Sequence, residues 1–348
     1  MNRLRAYPML ILLLPIVAAI LLFIDRPPKY APKRAPNAMQ EKLYQRLQDG
    51  GLDGDELATV GALTLGYKEE LDRELKRHFQ ASGAAHVLAV SGLHTGIIYG
   101  LLIFFLTLGG RFKPLHENRF HRCLLSLIII AAMWGYAWLT GLTPSVVRAV
   151  TMVTIFEIGR MAYRRAFSLN TVAAAAVLIL LAKPTDLWNV SFQLSFTATA
   201  SIIVFARECE KYLHSRDLDH TYTGRALSWI IGTVIISFAA QLGTLPITMY
   251  YFHQVSTYFL LANLMVLPLA SLLVPCGLIS IALGGSQIGI HFSKITWVLA
   301  WAMNHSVGWI ERLPGSTIPC QINGIMVAIY YGIFILFCFF WIKTSQKA

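Results

Sequence analysis

Ten separate apolar segments of roughly membrane-crossing length constrain this chain more than any other feature. They read at about residues 7–24, 86–108, 123–141, 144–162, 169–183, 190–206, 226–251, 256–283, 289–310 and 325–342. A helix needs roughly 20 apolar residues to cross the hydrocarbon core, where every backbone polar group must find a partner within the protein. Only 14% of the residues are charged, well short of the roughly 25% typical of a soluble domain. The expected fold class is all-α: a polytopic helical membrane protein with about ten transmembrane helices, some of them broken.

The loops test this reading through charge. With the N-terminus inside, the inner connections hold Arg111, Lys113, Arg119 and Arg122, then Arg164 and Arg165, then Arg207, Lys211, Arg216 and Arg225. The opposite loops near 143, 184–189 and 252–256 hold only Lys183, at a span edge, while Lys343 and Lys347 end the chain inside. Basic residues collect on the cytoplasmic side during insertion, so orientation alone explains most of the net charge of +11. Both termini are therefore expected in the cytoplasm. The run Tyr7 to Ile24 follows Arg3 and Arg5, is too long for a signal peptide, and has no small-residue cleavage site before Asp25. It reads as a retained first span.

The sequence divides accordingly. After the N-terminal span (1–24) comes a proline-rich basic link (25–37), then an external amphipathic helical segment (38–85). In that segment Leu43, Leu47, Leu57, Val60, Leu63, Leu71 and Leu75 recur at helical spacing, and Gly50, Gly51 and Gly66 supply breaks. Such a segment lies on the membrane surface or caps the bundle. Residues 86–342 form the transmembrane domain and 343–348 a short cytoplasmic tail. Pro246, Pro268 and Pro275 remove backbone donors inside apolar runs, which predicts either cavity-lining breaks or packed kinks. The five cysteines are scattered without CxxC spacing, so they indicate neither a disulfide framework nor a zinc site.

Three polar clusters carry the chemistry. His86, Ser91 and His94 stand at the start of an apolar run, with Ser91 and His94 one helical turn apart. Two histidines fall short of a zinc site, and Ser91 lacks the GxSxG setting of a hydrolase nucleophile. Gly92, Gly96 and Gly100 give a bare stripe suited to close helix packing. Arg148 lies about a turn inside a span, where an arginine costs on the order of 2–3 kcal/mol unless paired or hydrated. It could snorkel outward, pair with Glu157 or a carbonyl, or attract an anion such as phosphate, which fits a guanidinium fork. Glu157 and Arg160 are spaced to pair with each other. Ser191, Ser195 and Thr199 form a third polar stripe, with Gln193 to one side. Interhelical bonding explains that stripe as well as pathway lining does.

Together these clusters resemble the membrane domain of the ComEC competence proteins, presumed channels for DNA in transformable bacteria. The likeness runs from about Leu63 onward. It includes Ala81-Ser82-Gly83-Ala84-Ala85 leading into His86 through His94, then Gly141, Ser145 and Arg148-Ala149, then Pro184 and Ser191 through Phe196. Leu245-Pro246, Tyr251-Phe252, Ala262-Asn263-Leu264 and Pro268-Leu269 complete it. The resemblance implies a bacterial inner (cytoplasmic) membrane location and passage of single-stranded DNA. On this reading His86, Ser91, His94, Arg148, Gln193 and Ser195 are the matched polar positions along a DNA pathway, with a role inferred from polarity and depth. Trp134, Tyr136 and Trp138 are candidate stacking surfaces for bases.

The sequence also departs from the family pattern. Many relatives carry an OB-like domain before the motif and a metallo-β-lactamase-like nuclease domain after the bundle. Here little room precedes residue 86, and no HxHxDH motif or GxxxxGK[ST] loop occurs. The expectation is a non-enzymatic channel component without cofactor or metal. It would work in the bilayer with an external DNA-binding protein, a nuclease and a cytoplasmic motor in trans, and could form a homo-oligomer. Two rivals stay open: a small-solute or anion permease, and a shortened membrane remnant that transports nothing.

Overall fold

The structure, a computed structural model, describes residues 36–88, 91–107, 119–162, 169–215 and 221–345. The expected first span, the link to residue 35, the tail 346–348 and the loops holding Arg111, Lys113, Arg164, Arg165 and Arg216 lie outside the described residues.

Local rules set the first helices. Asn37 opens α1 (Ala38–Asp49) with a reciprocal capping box, its side chain accepting from the Gln40 N–H while the Gln40 side chain accepts from the Asn37 N–H. Helix α2 (Gly54–Leu65) follows, then α3 (Arg73–Ser82), capped by Asp72. The amphipathic spacing predicts one buried face for this segment, and α1 and α3 comply. Helix α2 does not: every residue from Leu57 to Leu65 is buried. Two glycines explain the difference. A Cβ on Gly61 would sit 2.6 Å from the Tyr44 ring, and one on Gly277 would sit 2.8 Å from Thr64, so neighbours close on α2 from both sides. The segment is thus built into the bundle's core.

Gly83 ends α3 with φ +89°, and a Cβ there would meet the Phe259 Cβ at 2.9 Å. Both the backbone conformation and the space demand glycine. A single turn, α4 (Ala85–Leu88), leads to α5 (Gly92–Leu106), α6 (Arg119–Leu139), α7 (Pro144–Met161) and α8 (Leu169–Ala182). A 3-10 turn (Pro184–Trp188) joins α8 to α9 (Val190–Ser215), which packs along α10 (Tyr222–Phe252). Next come α11 (Phe259–Leu283), α12 (Gln287–Glu311) and α13 (Gly324–Ser345). Strands β1 (Gln254–Ser256) and β2 (Thr317–Pro319) pair antiparallel, with Val255 opposite Ile318, and tie the ends of α10 and α12 together.

The main core gathers α1, α2, α3, α5, α6, α7, α11 and α12 around residues such as Leu63, Phe79, Met133, Leu273 and Met303. A second core seats Val172, Ile179, Phe192 and Phe196 between α8 and α9. Large apolar side chains elsewhere, among them Phe104, Leu181 and Ile325, are exposed, as on a lipid-facing surface. Among the described residues three helices, α6, α10 and α11, are long and apolar enough to cross a membrane. Helices α5 and α8 and parts of α9 and α13 are shorter apolar helices. The all-α expectation is met and the apolar helices suit a membrane, while the count of ten transmembrane helices stays an expectation; α7 carries Arg148, Glu157 and Arg160 within its 18 residues.

The prolines do not break the helices they sit in. Helix α10 continues through Pro246, and α11 through Pro268 and Pro275. Pro246 has no N–H for the Leu242 carbonyl, and the Tyr330 hydroxyl donates to that carbonyl at 2.9 Å. The Tyr331 hydroxyl donates to the Gly243 carbonyl at 2.8 Å, so α13 supplies what α10 lacks. Tyr330→Phe should therefore lower thermal stability in detergent by about 1–3 kcal/mol, the cost of an unsatisfied buried carbonyl. An unchanged unfolding midpoint would show that the carbonyl finds another donor.

Candidate functional site

The first polar group forms where α5 begins. Ser91 is the N-cap and His94 the third helical residue, so the ring folds back on the cap. The Ser91 N–H donates to His94 Nδ1 at 3.0 Å, and the Ser91 hydroxyl lies 3.1 Å from the same nitrogen. A backbone N–H can only donate, so Nδ1 is the unprotonated nitrogen and the neutral ring carries its proton on Nε2. His94 is fully buried, and Nε2 has no hydrogen-bond partner among the described residues. The exposed His86 uses Nδ1 to reach the Gly83 carbonyl at 3.2 Å.

The second group joins α7 to the start of α9. Arg148 is only 4% exposed, and its Nη2 donates to the Ser191 hydroxyl at 3.0 Å. Its Nε has no hydrogen-bond partner among the described residues. Asp186 acts on Arg148 electrostatically but forms its ion pair with Lys183, at 3.2 Å. The 3-10 turn and the cap of α9 hold this geometry. Asn189 accepts from the Ser191 N–H at 2.9 Å, and the Gln193 side chain donates to the Leu187 carbonyl at 3.0 Å. Arg148 is therefore a buried guanidinium held by a neutral hydroxyl, with part of its fork unused. Such a group can receive an oxyanion without first breaking an ion pair.

A third cluster ties α5, α6 and α7 together. The Tyr99 hydroxyl donates to Glu157 at 2.6 Å, Arg160 pairs with Glu157 at 2.9 Å, and Arg160 also donates to the Ser126 hydroxyl at 3.2 Å. The i, i+3 spacing predicts the ion pair; Tyr99 and Ser126 carry no such signal.

Of the sequence-predicted residues, Ser91 meets His94 and Arg148 meets Ser191, while Gln193 bonds locally. Ser195 is half-buried, and its carbonyl accepts from the Thr199 hydroxyl. Asp186 and Asn189 were not singled out by sequence; polar residues beside Pro184, opposite an intramembrane arginine, were the available hint. Trp138 is exposed and Trp134 partly so, whereas Tyr136 is buried and cannot stack on a ligand in this arrangement. Beyond the adjoining residues and the local backbone of α5, no atom among the described residues lies within 4 Å of a Cβ placed on Gly92, Gly96 or Gly100. Among the described residues no group of three or more His, Cys, Asp or Glu side chains is arranged to hold a metal ion.

The sequence over residues 63–345 matches the family described as "Competence protein", and the chain belongs to that family. It is 28% identical over 278 residues to ComE operon protein 3 of Bacillus subtilis, covering 80% of this chain and 32% of that protein. It is 26% identical over 306 residues to Recombination protein 2 of Haemophilus influenzae, covering 85% of this chain and 36% of that protein. A 24% identical relative in Escherichia coli is the uncharacterized protein YcaI, matched over 62% of this chain and 27% of the relative. The chain thus spans about a third of the length of these relatives. No solved structure matches.

Proposed function

We propose that this chain is an inner-membrane component of DNA uptake that carries single-stranded DNA into the cytoplasm during natural transformation. Family membership supports the role in competence, and the observation that carries the reading is Arg148. It is a buried cation among apolar helices, bonded to Ser191 and without a direct carboxylate contact among the described residues. Each nucleotide of a strand brings one phosphate charge that lipid cannot solvate. Guanidinium and hydroxyl donors at membrane depth lower that cost, and His86, Ser91, His94, Gln193 and Ser195 would line the same route.

On this reading the chain is multi-pass with both termini cytoplasmic. An external DNA-binding protein, a nuclease and a cytoplasmic motor act in trans, and a second copy would pack on the bare glycine face of α5. The test is internalisation of strand-labelled DNA after deletion of the reading frame, with and without wild-type complementation. Loss of the labelled strand from the cytoplasm, restored by the wild-type chain, is the expected result. Undiminished uptake in a competent strain without a second relative would overturn the proposal in favour of an anion permease or a non-transporting remnant.

A further inference from the structure

We propose that α1 and α2 enter the bundle as a re-entrant hairpin and that the polar face of α1 lines a water-filled vestibule at membrane depth. Contacts at both ends set how far the hairpin reaches. At its mouth the Asn37 side chain donates to the Trp138 carbonyl at 3.5 Å. There the Gln40 amide also donates to the Leu65 carbonyl at 2.8 Å, beside Gly141. The turn between α6 and α7 thus holds both arms. At the tip, a Cβ on Gly50 would meet the Ser293 hydroxyl oxygen at 2.8 Å. Ser293 lies about 27 Å along α12 from Glu311 and about 9 Å from Gln287, at roughly 1.5 Å per residue. Helix α1, 12 residues long, covers about 18 Å between mouth and tip.

The returning arm, α2, packs at the depth of the spans. Thr59 donates to Asn304 Oδ1 at 2.8 Å, and the Tyr136 hydroxyl donates to the Thr64 carbonyl at 3.5 Å. Val60 and Thr64 both close on Gly277. These partners belong to α12, α6 and α11, and α6 and α11 are long and apolar enough to cross a membrane. Gly277 is about 9 Å from the Leu283 end of α11. The hairpin is therefore wedged among the helices rather than laid over their ends.

The other face of α1 does not suit lipid at that depth. Leu43 and Leu47 join the core, while Glu41, Lys42, Gln45, Arg46, Gln48 and Asp49 are exposed. Among the described residues none of the four charged ones makes an ion pair. Long basic side chains can snorkel to an interface, but Asp49, in the last turn beside the tip, is too short to do so. The tip makes the same demand. Gly51 and Gly54 are exposed with φ +93° and +55°, and non-helical backbone within a membrane is tolerated only in protein or against water. Water along α1 satisfies the charges and the tip together. The vestibule stands on these contacts alone. Only the use of Lys42 and Arg46, one turn apart, as contacts for a phosphate-bearing strand rests on the proposed function.

The test compares single cysteines in the full chain, reconstituted in lipid nanodiscs after the five native cysteines are replaced by serine. Gln45→Cys and Asp49→Cys probe the polar face. Ile295→Cys is the lipid control: the side chain is 48% exposed, close to Ser293 in depth and on the opposite side of α12. Each variant alters an exposed side chain, so its fold can be verified by gel filtration, and full labelling after denaturation verifies each thiol. A charged methanethiosulfonate reagent reacts with thiolate, and each unit by which apolar surroundings raise a thiol's pKa cuts thiolate about tenfold. Gln45→Cys and Asp49→Cys should therefore react at least about tenfold faster than Ile295→Cys. Slow reaction at all three would set the polar face against lipid or protein. Equally fast reaction at all three would set the level of Ser293 outside the membrane. Either result overturns the vestibule. Single-stranded oligothymidylate then tests the use. Slower labelling of Gln45→Cys in its presence would make the vestibule part of the strand's route; unchanged labelling would keep the vestibule and withdraw the DNA assignment.

Discussion

Arg148→Gln should lower DNA transport roughly tenfold to a hundredfold while leaving the amount of protein in the membrane unchanged. The transport figure is the loss of one charge-assisted contact to a phosphate, about 1.5–3 kcal/mol. The stability expectation comes from the same geometry. An arginine inside a span costs on the order of 2–3 kcal/mol, and glutamine relieves that cost while keeping an amide donor for the Ser191 hydroxyl. A purely structural arginine would behave in the opposite way, because removing it would loosen α7 from α9 and reduce abundance together with transport. Arg148→Lys keeps the charge but loses the planar fork, so it should fall between wild type and glutamine. Ser191→Ala separates anchoring from charge: it frees the guanidinium without removing it and should reduce transport less than Arg148→Gln. The measurements are transformation frequency and internalised strand at equal immunoblot signal. Parallel losses of abundance and transport in Arg148→Gln would leave Arg148 with packing alone.

The sequence disclosed short-range arrangements well and long-range ones poorly, for a physical reason. Ser91 and His94 are one turn apart, as are Glu157 and Arg160, so a helix brings each pair together whatever surrounds it. The partner of Arg148 is 43 residues away on another helix, and only the folded chain selects Ser191 over Glu157. The Pro246 region shows the same limit. Local rules predict a broken helix, but Tyr330, 88 residues from Leu242, restores the missing donor and α10 stays continuous. Helix α2 reads as half-polar from its spacing and is buried throughout, because Gly61 and Gly277 admit neighbours on both sides. The family motifs were legible because they are local strings. Which of their polar residues share a site was not.

The buried ion pair on α7 gives the second large effect, this time on stability. Glu157→Ala should destabilise the bundle by about 3 kcal/mol, toward the low end for breaking a buried pair because Arg160 is 22% exposed on its side chain. The loss has two sources: Arg160 keeps the Ser126 hydroxyl but loses its carboxylate partner, and the Tyr99 hydroxyl loses its acceptor at 2.6 Å. Glu157→Gln keeps an acceptor for Tyr99 and removes the charge, so it should cost less than alanine. The double variant Glu157→Leu with Arg160→Leu should recover most of the loss, since an apolar pair replaces a buried ion pair at little or no cost. Thermal unfolding in detergent reads all three. Transport by the double variant then decides what the pair is for. Restored stability with normal DNA uptake would make Glu157 and Arg160 a clamp joining α5, α6 and α7. Restored stability without uptake would mean that the charges themselves serve the strand, and the route would then extend along α7 from Arg148 to Arg160.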